Sequence, residues 1–245
     1  MARVVTRARL GLLLICLARA VLADSPPVPT PMPEGIITRL PTREHVVALT
    51  FDACEAFERM SLDHGITDYL VSRHIPFTVF MGGRFARDNA DDVRELARHD
   101  FVSIQNHSWS HPRDMRLLDD DRVRSEVRRA EAMLVAVTGR RPELFRFPGG
   151  YADERTVALV QALGYQVVHW RWATGDPAPS VDADRLVTQT LERTRPGDIL
   201  IFHVNGRGWH TAEALPRIVE GLEAKGYRFV RVADALSPRA VVNGR

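Results

Sequence analysis

Seven short apolar runs, separated by longer amphipathic stretches, constrain this chain more than any other feature. The runs are His45–Phe51, Pro76–Met81, Phe101–Gln105, Leu144–Phe147, Gln166–Trp170, Asp198–His203 and Tyr227–Val232. They are short, rich in β-branched and aromatic residues, and read as strands. Between them, Ala90–Ala97, Asp119–Val137, Glu154–Leu163, Ala183–Arg193 and Ala212–Lys225 carry apolar residues at helical spacing. Gly164, Gly197 and Gly226 stand where a helix stops and a strand begins. Such alternation predicts a parallel sheet with helices packed on it, either open or closed into a barrel.

Four polar residues fall at one kind of place in that pattern. Asp52, His107, Arg146 and His203 each lie at or just past the C-terminal end of a predicted strand. The loops leaving that edge of a parallel sheet converge on one mouth, so catalytic groups collect there. The placement predicts an enzyme. Within Asn106–Pro112, His107 and His111 put two imidazoles four residues apart directly after an apolar run. Pro112 disfavours an α conformation at His111, which places the pair on a strand-to-helix turn. Two neutral imidazoles converging from one turn are a partial site for a divalent metal that activates water. By spacing alone they also fit packing or surface groups.

Hydrophobic residues make up 45% of the chain and charged residues 26%, the balance of an ordinary globular protein. The 245 residues fit one α/β barrel. At the start, Arg3, Arg7 and Arg9 precede the apolar run Leu10 to Leu17, and Val21-Leu22-Ala23 offers small residues before Asp24. Residues 1–23 therefore read as a secretory signal peptide, too short to persist as a membrane span, and the product is expected to be exported, periplasmic or secreted. Removing that segment leaves 29 of the 33 basic residues facing 31 acidic ones, with no basic stripe to bind nucleic acid. It also removes Cys16, so Cys54 stands alone and no intramolecular disulfide forms. Residues 24–40, which include the run Ser25 to Pro33, read as a Pro-rich linker, and residues 41–240 as one catalytic domain.

Five segments bear on the chemistry: Leu49-Thr50-Phe51-Asp52, His107-Ser108-Trp109-Ser110-His111, Arg146-Phe147-Pro148-Gly149-Gly150-Tyr151, Trp172-Ala173-Thr174-Gly175-Asp176 and Leu200-Ile201-Phe202-His203. In this order, the chain from about residue 45 to 236 resembles the polysaccharide deacetylases with a NodB homology domain, carbohydrate esterase family four. The resemblance implies a distorted (β/α) barrel of about seven parallel strands. It implies metal-dependent hydrolysis of an N- or O-acetyl group from an acetylated glycan, with zinc as the expected divalent metal. It gives Asp52 the role of general base, His107 and His111 that of metal ligands, and His203 that of the acid for the leaving group. Arg146 would hold the base carboxylate, and Asp176 would pair with that arginine.

The departures from the family pattern are as informative. The family usually reads Thr-Phe-Asp-Asp, with the second aspartate as third metal ligand, and here that position is Ala53. In order of preference, the expected repairs are ligation by Asp52 itself, completion by solvent, and ligation by Cys54, which faces the same way as Asp52 if the strand alternation continues. A carboxylate from the following loop, Glu55 or Asp63, is a further option. Pro177 stands where the family often has tryptophan, so an aromatic wall of the sugar site must come from elsewhere. Among the tryptophans, Trp109 and Trp209 are expected to contact sugar and Trp170 and Trp172 to pack in the core. Tyr151 is expected on the substrate side, with Gly149 and Gly150 offering backbone N–H groups to an oxyanion. The loop Asn205–Thr211 is expected at the rim, with His210 as a second candidate acid. Ala53 keeps two other readings open: a non-sugar, even cyclic, amide hydrolase with an altered or absent metal, and a non-catalytic glycan-binding protein.

Overall fold

All eight residues of Val46–Ala53 (β2) are buried, on both faces, so this strand has no solvent side and must lie at the centre of a layered fold. The computed structural model describes residues 32–54 and 60–237. The expected signal segment, residues 24–31 of the expected linker, and Glu55 lie outside them. Parallel partners flank β2: Phe77–Met81 (β3) and, nearer the start of β2, the two-residue Arg228–Phe229 (β8) on one edge, and Ile199–His203 (β7) on the other. Beyond β3 come Val102–Asn106 (β4), Leu144–Phe145 (β5), Gln166–Val168 (β6) and Ile36–Ile37 (β1), all parallel. The path β1-β6-β5-β4-β3-β2-β7 curls, and an antiparallel bridge between Arg39 and Asp198 joins its two ends. The result is a distorted seven-stranded (β/α) barrel. Its first strand lies inside the stretch read from sequence as linker, because Ile36 and Ile37 pair with Val167 and Val168.

Alternation along β2 sorts its side chains into two layers. Val47, Leu49, Phe51 and Ala53 face outward and pack against helices His64–Ser72 (α1) and Thr211–Ala224 (α7) through Ile66, Leu70, Leu215 and Ile218. Each of those large apolar side chains contributes about 1.5–3 kcal/mol on burial. Val46 and Ala48 face the barrel interior, which Phe80, Leu144, Val168 and Ile199 fill. The apolar filling ends at Phe80: the Arg146 guanidinium lies 4.0 Å above its ring, and the polar site begins there.

Four of the described α-helices start where aspartates cap them. Asp63, Asp119, Asp153 and Asp182 accept backbone N–H bonds at the starts of α1, Asp120–Thr138 (α4), Glu154–Ala162 (α5) and Ala183–Arg193 (α6). Asp63 is thereby committed to a cap rather than to the mouth. Two short helices, Gly83–Asp88 (α2) and Ala90–Leu96 (α3), fill the β3–β4 crossover, and Val232–Leu236 (α8) ends the described chain. Among the described residues no helix is long and apolar enough to cross a membrane.

Candidate active site

Register brings the first pair together. Asp52 on β2 is aligned with His203 on β7, so a carboxylate and an imidazole face one mouth from neighbouring strand ends. Arg146, fully buried just after β5, fixes the carboxylate. Its Nη1 donates to Asp52 Oδ1 at 2.8 Å, Nη2 to Thr50 Oγ1 at 2.9 Å, and Nε to the Val168 carbonyl at 3.3 Å. Burial opposes ionisation of Asp52, but the Arg146 guanidinium beside it, by charge and hydrogen bond, outweighs burial and holds the carboxyl below its ordinary value.

Asp176 does something other than the resemblance implied. All three donor nitrogens of Arg146 are engaged elsewhere, and the Asp176 carboxylate instead holds His203. Its Oδ1 lies 3.0 Å from His203 Nδ1, and its Oδ2 accepts the His203 backbone N–H at 2.6 Å and Thr211 Oγ1 at 3.0 Å. The Nδ1–H bond leaves His203 Nε2 as the atom available to a substrate. Gly208 is required here, since a Cβ at that position would stand 2.9 Å from Asp176 Oδ2 and closer still to the His203 carbonyl.

The histidine turn is strained and strongly braced. Ser108 and His111 both adopt positive φ, 69° and 52°, at a cost of order 1–3 kcal/mol each. Asn106 Oδ1 accepts from Ser108 N, and Ser108 Oγ from His111 N. Glu126, buried on α4, accepts the Trp109 and Ser110 N–H groups and the Ser110 hydroxyl. Sequence reading missed Glu126. The signal was there: it shares a helical stripe with Val123, Val127, Ala130 and Leu134, where an unpartnered acid is not tolerated.

His107 donates from Nδ1 to the Arg146 carbonyl at 2.8 Å, so its Nε2 carries a bare lone pair. That buried atom has no hydrogen-bond partner and lies 3.5 Å from Asp52 Oδ2. Burial keeps His107 below its ordinary value; His111, buried beside His107, is pushed to about 3. Two neutral imidazoles, one orphaned and facing a carboxylate oxygen, fit a divalent cation. A nitrogen of His107, a nitrogen of His111 and Cys54 Sγ all lie within 4.8 Å of one another. Burial and the Asp52 charge push the Cys54 thiol up to about 12, opposed by Arg207 and Asn205.

The aromatic expectations exchange places. Trp109 is buried, with Arg129 4.5 Å and Arg87 5.8 Å from its ring. It packs so tightly over Gly83 that a Cβ there would stand 2.5 Å from the indole, so this ring is closed to a sugar. Trp170, expected in the core, instead lines a cleft of about 220 Å³ with Asp52, His111, Asp176 and His203. Trp172 is buried as expected and donates Nε1–H to Asp198. Trp209 and Tyr151 are exposed, at 60% and 42%. The Gly150 and Tyr151 N–H groups bond the Phe147 and Pro148 carbonyls, which removes them as oxyanion donors; Gly149 lines the cleft. His210 lies 3.8 Å from Glu213 and is absent from the cleft lining.

Comparison with known proteins agrees with this fold. The family model described as polysaccharide deacetylase matches residues 39–168. A peptidoglycan-N-acetylglucosamine deacetylase of Bacillus cereus is 29% identical over 193 residues, spanning 78% of this chain and 68% of its own. Among solved structures, a peptidoglycan N-acetylglucosamine deacetylase superposes with a TM-score of 0.75 at 26% identity, covering 82% of this chain and 92% of its own. A carbohydrate esterase family four pseudoenzyme from Bacillus anthracis shares the fold, with a TM-score of 0.73 at 22% identity over 82% of this chain and 69% of its own. The fold is thus common to a deacetylase and a pseudoenzyme, and the site residues carry the argument for activity.

Proposed function

The chain belongs to the polysaccharide deacetylase family, and on that premise we propose that it hydrolyses acetyl groups from an acetylated cell-envelope glycan, with Asp52 as base and His203 as acid. The observation that carries this reading is the pairing across β2 and β7. Asp52 has one oxygen held by Arg146 and the other unbound by it, while His203 has Nδ1 held by Asp176 and Nε2 available. Binding alone requires neither a held base nor a held acid.

Asp52 Oδ2 accepts a proton from the attacking water as its oxygen bonds to the acetyl carbon. His203 Nε2 then gives a proton to the departing amine or alkoxide, and the products are acetate and the deacetylated sugar. Asp176 steadies the imidazolium in between. What a divalent ion supplies when held by His107 and His111 is polarisation of the acetyl carbonyl and a lower pKa for the attacking water. Trp170 offers one ring face in the cleft, in the role that Pro177 cannot fill, and Trp209 and Tyr151 offer exposed rings to the rest of a sugar chain. The arginine-flanked apolar start of the chain supports action outside the cytoplasm.

Acetate release from N-acetylglucosamine oligomers and peptidoglycan fragments tests this. Wild type is expected to release acetate, and Asp52→Asn to lower kcat by roughly 10²–10⁴-fold. Glycan binding by wild type with no acetate release under any of zinc, cobalt or manganese would instead favour a non-catalytic binding protein.

A further inference from the structure

We propose that Cys54 is the third protein ligand of a Cys-His-His cation site, a thiolate taking the place of the aspartate that Ala53 replaces. The inference rests on the metal-assisted reading above and gives that site its missing partner.

Strand geometry selects the residue. The alternation that turns Asp52 inward turns Ala53 outward into the helix-facing core, where it pairs in register with Met81. One step beyond the strand, Cys54 returns to the inner face, and its sulfur meets the two histidines. Buried free cysteines commonly behave as small apolar groups, but Cys54 belongs to none of the three apolar clusters of the described core. Its sulfur has polar company. Buried Asn205, on the β7–α7 loop, places Nδ2 3.6 Å from Cys54 Sγ and also donates to the Cys54 carbonyl. Such donors orient a thiolate ligand, as outer partners do in metal sites generally.

The other side of the site is prepared as well. The orphaned His107 Nε2 is fully buried, and the Arg146 carbonyl fixes the tautomer that leaves its lone pair open. Tetrahedral zinc, with S and N ligands at about 2.3 and 2.0 Å, needs S···N separations near 3.5 Å. The observed separations, up to 4.8 Å, require side-chain movements of only about 1 Å. Asp52 lies beside this trio and is held by Arg146, which leaves its free oxygen for water rather than for ligation. One sulfur and two imidazole nitrogens favour zinc or cobalt over magnesium and manganese.

Cobalt(II) titration of the metal-free full chain tests the assignment. A near-ultraviolet thiolate-to-cobalt band is expected in wild type, retained in Asp52→Asn and lost in Cys54→Ser. Zinc affinity, by chelator competition, should fall in Cys54→Ser by more than the roughly 10- to 100-fold that loss of an outer partner causes. Matching melting curves of the metal-free proteins show that the fold is intact. If Cys54→Ser misfolds, Cys54→Asp is expected to bind zinc without the cobalt–sulfur band. Zinc affinity unchanged in Cys54→Ser but lost in His107→Ala would overturn Cys54 ligation alone. Failure of wild type to bind either ion would overturn this site together with the metal-assisted reading.

Discussion

The two walls of the cleft are built to different degrees of completeness. On the wall of the proposed acid, the Asp176 carboxylate bonds the ring and backbone of His203 and the hydroxyl of Thr211 at the start of α7. On the wall of the proposed cation, a turn with two left-handed residues is braced by Glu126, yet His107 Nε2 still ends without a partner. A buried lone pair left open costs on the order of 1–3 kcal/mol. The protein alone therefore satisfies one wall, and on the proposed reading a divalent cation satisfies the other. The departure from the family pattern at Ala53 falls on that second wall.

The most severe way to test the separation is to damage the acid wall. Asp176→Asn is expected to lower kcat by roughly 10²–10⁴-fold through the misheld acid, with zinc affinity unchanged. A change in zinc affinity would show that the walls act as one unit.

Next is the contrast between two tryptophans. Trp109→Ala removes the buried ring behind the histidine turn and should cost about 3–5 kcal/mol of stability, read as a lower Tm. Trp170→Ala should leave Tm nearly unchanged and raise KM by a few-fold to about tenfold, the worth of one stacked ring. The reverse pattern would return Trp170 to the core and Trp109 to the substrate.

The mildest effect is that of pH on the metal-free protein. His111 and His169 are held neutral when folded, each at about 3 against an ordinary 6.5. The unfolded chain therefore takes up their protons first, and stability is lost as pH falls from 6.5 towards 3, by about 1.4 kcal/mol per histidine per unit. Calorimetry between pH 7 and 5 checks this, and a Tm that rises on acidification would contradict the buried neutral state.

Much of the fold was legible because its signals are local. The run Ala183–Arg193 coincides with α6, and the other long amphipathic patterns lie within a residue or two of α4, α5 and α7. The helices α1 and α2 and the two-residue β1 escaped notice. The helix α2 and the strand β1 are short, and β1 exists only because β6, far along the chain, offers it a partner. The site residues Asp52, His107, Arg146 and His203 were legible as strand-end polar groups, but their partners were not. The Arg146–Asp52 bond joins residues 94 positions apart, and the Asp176–His203 bond residues 27 apart, beyond the reach of any periodicity.

The order of strands and helices, and the edge of the sheet where the chemistry gathers, follow from the amino-acid sequence alone, because apolar periodicity and capping residues act over a few residues. The direction each catalytic partner faces was decided only in the tertiary structure. Whether Asp176 serves Arg146 or His203, whether Trp109 or Trp170 meets the cleft, and what the sulfur of Cys54 touches all depend on which distant segments close packing brings within a few ångströms.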